Sequence, residues 1–479
     1  MHQPALATLF ESWAGTQPTH IEALPQSGSD RTYWRLSGGG KSAMGSHNPD
    51  ARENHAFVAL AARFAQRGVR VPQVYAFDAA QGLILQQDLG NNSLLDVVLQ
   101  SRKPGENLPE TTVALYREAL SALALLQTTP DWQSAFAEPQ CPPYPAFDHK
   151  GMIWDLHYFK YCFLKPSGVP FDEAQLEADF EQLASLPIEG DRPLFMHRDF
   201  QARNLMVHDG HVWVIDFQSG RIGPPAYDVA SLLFQARAQL PAQLKSDLLL
   251  HYQQELQRHW PSGAAQAVSA YRSLVLLRAL QTLGAYGFRG WLERKTHFLD
   301  SIPPALASLE WICEHHWPEE TALPHLREVC RSLSSHPKLV KQPTYPNAAS
   351  LTVRVGSFSY KKGWPQDPTS NGGGFVFDCR ALHNPGRYEE YKRLSGLDKP
   401  VQVFLLAQSR VEEFLSDARR IVEPSIEQYL ERGFTDLMIS FGCTGGQHRS
   451  VYCAEQMAAH LRKKYGVTVL VEHRERESW

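Results

Sequence analysis

The sequence predicts two folding units, an α+β unit over about residues 5–330 and a smaller α/β layer domain over 350–479. Three observations carry this reading. The chain has 479 residues, more than one hydrophobic core ordinarily supports. Its first two thirds pass from short strand-like runs into long helical ones, and the remainder alternates strand and helix. Between them, over 331–349, helical periodicity gives way to Ser, Pro and Asn, the composition of a linker.

The bulk numbers narrow the class. A hydrophobic fraction of 43% with 20% charged residues is that of a globular chain. No stretch approaches the ~20 apolar residues of a membrane span. The start MHQPALATLFESWAG lacks the basic, apolar and small-residue order of a secretory signal, so cytoplasmic residence and no membrane partner are expected. The seven cysteines are widely and irregularly spaced without a CxxC pair, which argues against a disulfide framework and a structural zinc site. A net charge of −4 shows no broadly basic surface for nucleic acid. A local basic patch stays compatible with these totals.

Taken in order, LPQSGSDRTYWRLSGGGKSAMGS reads as a strand pair with a small-residue loop at Ser27–Arg31. ARENHAFVAL begins a helix carrying Glu53, and QGLILQQDLG contains the next strand. An aromatic helical segment runs from Pro142 to Leu164. Apolar NLMV, the turn His208-Asp209-Gly210 and apolar VWVID then form a hairpin. That hairpin brings Asp199 and Asn204, just before its first strand, near Asp216 at the end of its second. Phosphoryl transfer needs a carboxylate to orient a hydroxyl and accept its proton, together with hard oxygen ligands for magnesium. Asp199 suits the first role, Asn204 and Asp216 the second. Singly, each Asp is a common turn cap; jointly, HRDxxxxN, hairpin and IDF match the kinase pattern of catalytic Asp, metal Asn and metal Asp.

HRDFQARN, VIDFQ and GPPAYDVASLL together resemble the aminoglycoside-phosphotransferase and choline-kinase family, and their variant forms are similar to AmgK-type anomeric amino-sugar kinases. The resemblance implies a bilobal, protein-kinase-like fold over 1–330, with an N-lobe of about 1–90 and a C-lobe of about 91–330. It implies ATP and Mg2+ as cofactors and the C1 hydroxyl of N-acetylmuramic acid or N-acetylglucosamine as acceptor, in peptidoglycan recycling. Ser27, Gly28, Ser29, Asp30 and Arg31 would then lie over the phosphates, where backbone N–H groups permit close approach. Glu53 would be the helix carboxylate, Gln86, Gln87, Asp88 and Leu89 the hinge beside adenine, and Asp228 a brace for the catalytic loop. Trp154, Asp155, His157, Tyr158 and Arg203 would meet the sugar, although an aromatic helix packed into the C-lobe accounts equally for Trp154 and Tyr158. The family's strand lysine is missing: SAMGS has none at the matching place, and Lys41 precedes it. Two alternatives follow, a kinase for another hydroxylated metabolite and a degenerate kinase serving as a metabolite-sensing adapter.

In the second unit LTVRVGSFSY alternates as a strand, VQVFLLAQ reads as a buried strand, and VEEFLSDARRIVEPSIEQYLERG as a helix. DLMISFGC is a strand, YCAEQMAAHLRKKYG a helix and VTVLVEH a closing strand. FGCTGGQHRSVYCAE runs from strand through glycine turn into helix, an arrangement whose free N–H groups and dipole suit an anion. Thr444, Gly445, Gly446, His448, Arg449 and Ser450 would contribute, Arg449 with a planar fork. Cys443 and Arg449 also satisfy the CxxGxxR[ST] loop of cysteine-dependent phosphatases, but Phe441-Gly442 replaces the His that usually precedes the cysteine. SFSYKKG, GGFVFDCRALHNP, LSGLDKPVQVFL and GCTGGQHRSVY resemble the RapZ C-terminal domain. This implies a phosphorylated amino sugar as ligand, lined by Asp378, Arg380, His383, Asn384, Thr444, Gly445, His448 and Arg449, and leaves room for oligomerisation through this domain. The lysine-rich end associated with RNA binding is absent from HRERESW, so nucleic acid is not an expected partner.

Overall fold

The computed structural model describes residues 2–24, 31–102, 107–133, 146–185, 194–293, 295–319, 322–336, 339, 351–367, 369 and 373–479. The chain divides into two units, Met1–Val340 and Lys341–Trp479. No helix among the described residues is long and apolar enough to cross a membrane.

In the first unit, β1 (His20–Ala23), β2 (Thr32–Gly38), β3 (Lys41–His47), β4 (Val74–Asp78) and β5 (Leu83–Gln87) form one antiparallel sheet in the order β1-β2-β3-β5-β4. Gly39 and Gly40, at φ 60° and 74°, make the β2–β3 turn, which demands two left-handed residues. Trp34 and Leu36 from β2 join Leu83 and Leu85 from β5 in a small core with Leu6 and Phe10 of helix Gln3–Ala14. Helix Ala51–Gln66 starts at Asp50, whose carboxylate accepts from the N–H groups of Arg52 and Glu53. Glu53 is thereby placed on a capped first turn.

The helical part of this unit is organised by helix Tyr271–Gly287, buried along most of its length. Gly284 and Gly287 let its backbone approach the segment after helix His149–Phe159. An added Cβ would sit 2.8 Å from Phe159 N at the first position and 2.0 Å from Cys162 O at the second. Into this frame are set two short strand pairs, β6 (Phe195–Met196) with β9 (Arg221–Ile222) and β7 (Leu205–His208) with β8 (His211–Val214). The second is the expected hairpin, with Asp209 at φ 51° and Gly210 at φ 77° in its turn. Helix Pro324–Ser334 runs past the point where helical periodicity was expected to stop, because Leu326, Val329, Cys330 and Leu333 form a buried stripe at helical spacing.

In the second unit β10 (Thr352–Ser359), β11 (Gly374–Asp378), β12 (Asp436–Cys443) and β13 (Thr468–His473) build a parallel sheet in the order β11-β12-β10-β13. β12 is buried over nearly its whole length, as a central parallel strand covered on both faces must be. One expected strand is corrected. VQVFLLAQ belongs to helix Lys399–Gln408, with Pro400 in its first turn and Val401, Phe404 and Leu405 buried at helical spacing.

Because the Gly287 Cβ position is occupied by a backbone carbonyl rather than by a flexible side chain, Gly287→Ala should destabilise the first unit by about 1–3 kcal/mol. Urea denaturation of the full chain, followed through the first unit's transition, would show this; an unchanged midpoint would mean that the two segments separate freely.

Candidate active site

The catalytic segment leaves β6 through His197 and Arg198, and Arg198 takes φ 74°, a left-handed conformation uncommon outside glycine. Asp228, fully buried in the first turn of helix Ala226–Leu233, holds that turn: its Oδ2 accepts from the His197 N–H and its Oδ1 from the Arg198 N–H, both at 2.8 Å. Burial pushes the Asp228 carboxyl up to about 6, against the pull of His197 and these N–H donors. Gln127 donates to Asp228 at 3.1 Å and is itself held by the Tyr252 hydroxyl.

The reversed turn presents Asp199, Asn204 and Asp216 at one rim. Asn204 Nδ2 donates to the backbone carbonyl of Asp199 at 2.8 Å and to Asp216 Oδ2 at 3.4 Å. With its nitrogen so engaged, the Asn204 amide oxygen is the atom left for a cation. Gln218 donates to Asp216 Oδ1 at 2.7 Å, and Asp216 itself sits at φ 64°. Asp199 Oδ1 accepts from Arg278 at 2.9 Å, while its side chain stays 39% exposed. Burial would raise the Asp199 carboxyl, but Arg278, Arg203 and Arg198 together hold it down to about 2. Two further groups complete the cluster. Asp155 accepts from Arg198 at 2.9 Å and from the Tyr227 hydroxyl at 3.4 Å, and the Arg278 guanidinium donates to that same hydroxyl at 3.3 Å. Burial raises the Asp155 carboxyl despite Arg198 and Arg278.

On the nucleotide side Arg31 donates to Glu53 at 2.5 Å and lies 3.7 Å from Asp216 Oδ1. Glu53 also accepts from Asn48 at 3.0 Å and Ser219 at 3.4 Å. Arg31 thus places a guanidinium between the carboxylates of Glu53 and Asp216. Lys41 does something else, donating to the carbonyl of Ala14 at 3.2 Å and lying over the Trp13 ring. Ser27, Gly28, Ser29 and Asp30 lie outside the described residues. In the hinge, Gln86 pairs with Met44 and Gln87 with Ala43 across the sheet, and Leu89 is buried. The Asp88 carboxylate is taken by Arg35 at 2.8 and 3.1 Å and by Ser42 at 2.5 Å. It is consumed in joining the sheet to the hinge.

Of the expected acceptor residues, Asp155 joins the Asp199 cluster through Arg198 and Tyr227, and Arg203 acts on Asp199 by charge alone. Trp154, one position away on helix His149–Phe159, is 40% exposed with Lys150 over its ring. His157 bonds to Glu177 at 2.9 Å on helix Glu173–Ala184, and Tyr158 packs against Phe288. Arg203 is exposed and within electrostatic reach of Asp199. Sequence reading missed Arg278, Tyr227 and Arg221; an arginine inside the apolar run SLVLLRALQTL was the available signal for the first.

In the second unit, β12 ends at Cys443 and helix Arg449–Tyr465 begins six residues later. Cys443 Sγ accepts from the Gly446 N–H at 3.2 Å and lies 3.2 Å from Ser450 Oγ. Gly446 needs its left-handed φ of 72°, and an added Cβ would meet Glu475 at 2.5 Å. Thr444 and Gly445 are exposed. Arg449 is 4% exposed, donates to the carbonyls of Arg380 and Leu382 at 2.9 Å, and keeps a buried Nε without a partner among the described residues. It ties the 378–382 turn to the loop. Asp378 is claimed by Arg380 at 2.7 and 2.9 Å. His383 lies between Gln408 O and the Tyr388 hydroxyl, at 3.2 and 3.1 Å. Asn384 caps the next turn, and His448 lies 2.8 Å from Tyr391 O.

A kinase-like first unit and a smaller α/β second unit are thus the classes that fold and site define. The phosphotransferase enzyme family model matches residues 20–265, and the chain belongs to that family. The RapZ C-terminal domain model matches residues 351–477, making the chain a fusion of the two. Among curated proteins, nucleotide-binding proteins of Methylobacillus flagellatus and Clostridium acetobutylicum are 36% and 39% identical to it over 188 and 129 residues. Those alignments cover 39% and 27% of this chain and 64% and 42% of the relatives, so the chain spans less than two thirds of their length. A choline/ethanolamine kinase family protein from Mesorhizobium loti superposes with a TM-score of 0.42 at 15% identity, over 70% of this chain and 99% of that one. The aminoglycoside phosphotransferase APH(4)-Ia, solved with ADP and hygromycin B, gives 0.42 at 16%, over 70% and 98%.

The Asp199 pair yields a pH prediction. Its folded pKa lies below the ordinary carboxylate value of about 4, so its contribution to stability is present above that value and fades as pH falls toward about 2. Asp199→Asn should therefore show a shallower loss of stability than the parent between about pH 4 and 2, measured by denaturant titration at fixed pH values. Parallel curves would mean that Arg278 does not hold the carboxylate.

Proposed function

We propose that the first unit is an ATP-dependent kinase of a small hydroxylated metabolite, an amino sugar phosphorylated at its anomeric hydroxyl, with N-acetylmuramic acid and N-acetylglucosamine as the acceptors to test. The observation that carries the reading is the joint placement of Asp199, Asn204 and Asp216 at one rim, with Asp199 oriented by Arg278. Asp199 is ionised at neutral pH, and its Oδ2 takes no hydrogen bond among the described residues. That oxygen is available to align an acceptor hydroxyl and receive its proton as the oxygen–phosphorus bond forms and the bond to ADP breaks. The donor set fits magnesium, which would be held by the Asn204 amide oxygen and the Asp216 carboxylate and supplies charge neutralisation at the triphosphate. Arg31, fixed by Glu53, contributes a further positive charge on the nucleotide side. That cation answers the main argument for a degenerate kinase, the missing lysine.

In the second unit the Cys443–Ser450 loop is proposed to bind a phosphorylated amino sugar, with Thr444, Gly445 and Arg449 as its phosphate contacts. The unpartnered Arg449 Nε supports this reading.

Two measurements follow. Asp199→Ala should lower sugar phosphorylation by roughly 10²–10⁴-fold while keeping nucleotide affinity, and Asp216→Ala should lose magnesium-dependent ATP binding by calorimetry. Near-parental turnover in the first, or unchanged Mg-ATP affinity in the second, would remove the assignment. For the second unit, the full chain should bind glucosamine 6-phosphate more tightly than glucosamine, and Arg449→Gln should abolish the difference, whereas Cys443→Ser should retain it. Equal affinity for both sugars would leave the loop a structural turn.

A further inference from the structure

We propose that the acceptor of this kinase carries a negative charge, a carboxylate or a phosphate, and that Arg221 is the residue that selects it. The inference rests on the kinase reading above and specifies its substrate class.

Arg221 occupies a position fixed from both sides. It stands in β9 opposite Met196, and the chain continues from Met196 through His197 and Arg198 to Asp199. The next residue, Ile222, bridges to Ala146, and its carbonyl accepts the Phe147 N–H at 2.6 Å, just before helix His149–Phe159. The arginine backbone is therefore clamped between the catalytic segment and the helix that carries Asp155. A side chain on such a framework is better placed for specificity than one on a free loop.

Its guanidinium lacks a counter-ion. Four arginines act on two carboxylates: Arg198, Arg221 and Arg278 on both Asp155 and Asp199, and Arg203 on Asp199. Arg278 pairs with Asp199 and Arg198 with Asp155, each at 2.9 Å. Arg203 and Arg221 are the two left over. Arg203 is exposed and needs no partner beyond water. Arg221 is half-buried, makes no hydrogen bond or ion pair among the described residues, and has an Nε both buried and unpartnered. Burial, with Arg198 next, holds it down to about 10, the direction expected of a cation whose surroundings do not neutralise it. A buried charge left without a partner is costly. An anion on the acceptor removes that cost, and a guanidinium fork matches the paired oxygens of a carboxylate or phosphate. A polycationic acceptor would meet two uncompensated positive charges instead.

The test uses the full chain with Mg-ATP and three acceptors on one ring system: neutral N-acetylglucosamine, N-acetylmuramic acid with its carboxylate arm, and N-acetylglucosamine 6-phosphate. One of the two anionic acceptors should exceed the neutral sugar in kcat/KM by about tenfold or more, the range of a charge-assisted contact, and which one does so distinguishes carboxylate from phosphate. Arg221→Gln should remove that advantage through KM, leaving the neutral sugar and the KM for ATP unchanged, and Arg221→Lys should recover part of it. Preference for the neutral sugar, equal losses on all three acceptors, or a raised KM for ATP would overturn the proposal, the last by assigning Arg221 to the nucleotide. Should no sugar be phosphorylated, calorimetric titration of the same three sugars separates the two readings. Arg221-dependent binding of an anionic sugar would keep this inference while the kinase reading fell, and no such preference would end it.

Discussion

Asp228 accepts the backbone N–H groups of His197 and Arg198, both at 2.8 Å, and the geometry of the catalytic segment depends on these two bonds. A non-glycine residue in the left-handed region costs about 1–3 kcal/mol. Two hydrogen bonds to an ionised acceptor, each contributing about 1.5–3 kcal/mol, are enough to hold Arg198 there. The reversal at Arg198 sends its side chain to Asp155 and delivers the next residue, Asp199, to Arg278. Without it, the rim shared by Asp199, Asn204 and Asp216 would not form. Asp228 is itself constrained by Gln127 and Tyr252, so the position of Asp199 is set by groups from three separate helices.

Charge is distributed unevenly around this centre. On the nucleotide side Arg31 faces two carboxylates, Glu53 and Asp216, and its planar fork reaches toward both. A lysine would offer one point charge there, whereas the guanidinium fork can meet two carboxylates at once. Around Asp155 and Asp199 the balance is reversed, with arginines outnumbering carboxylates. Arg278 serves both Asp199 and Tyr227, and burial lowers its pKa less than those two partners raise it. On the present proposal the difference suits a metal cation on one side and an anion on the other.

The hairpin and the meeting of Asp199, Asn204 and Asp216 at one rim were legible in the sequence because each rests on local information. NLMV-HDG-HVWVID needs only period-two alternation and a turn with two left-handed residues. Arg278, by contrast, meets Asp199 across 79 positions, and no spacing rule reaches that far. A charge in the middle of SLVLLRALQTL marks a buried partner without saying which. VQVFLLAQ misled for a different reason: its β-branched and aromatic residues favour a strand, while Asp398 and Pro400 mark a helix start. Tertiary packing of Val401, Phe404 and Leu405 decided the matter. Helix His149–Phe159 was expected as a helix, but not its faces. Asp155, His157 and Trp154 meet different neighbours, Arg198 and Tyr227, Glu177, and Lys150, and residues one or two positions apart on a helix diverge in direction.

In the C-terminal loop one carboxylate would limit where the proposed phosphate can sit. Gly445 and Gly446 look equivalent in the sequence, yet only Gly446 requires glycine: its φ is positive and Glu475 occupies the Cβ position. Glu475 is buried and paired with Arg474 at 2.9 Å, which places a negative group on that flank of the loop. The Gly446 N–H is directed to Cys443 Sγ, and is thus already engaged. On the proposed reading, a phosphate dianion would approach from the exposed Thr444–Gly445 side, away from Glu475. Arg449 is suited to wait for it, because the carbonyls of Arg380 and Leu382 fix one end of its guanidinium without neutralising its charge. Selectivity for a phosphorylated over a free sugar would come from that retained charge, and the glycines would supply the room for it to act.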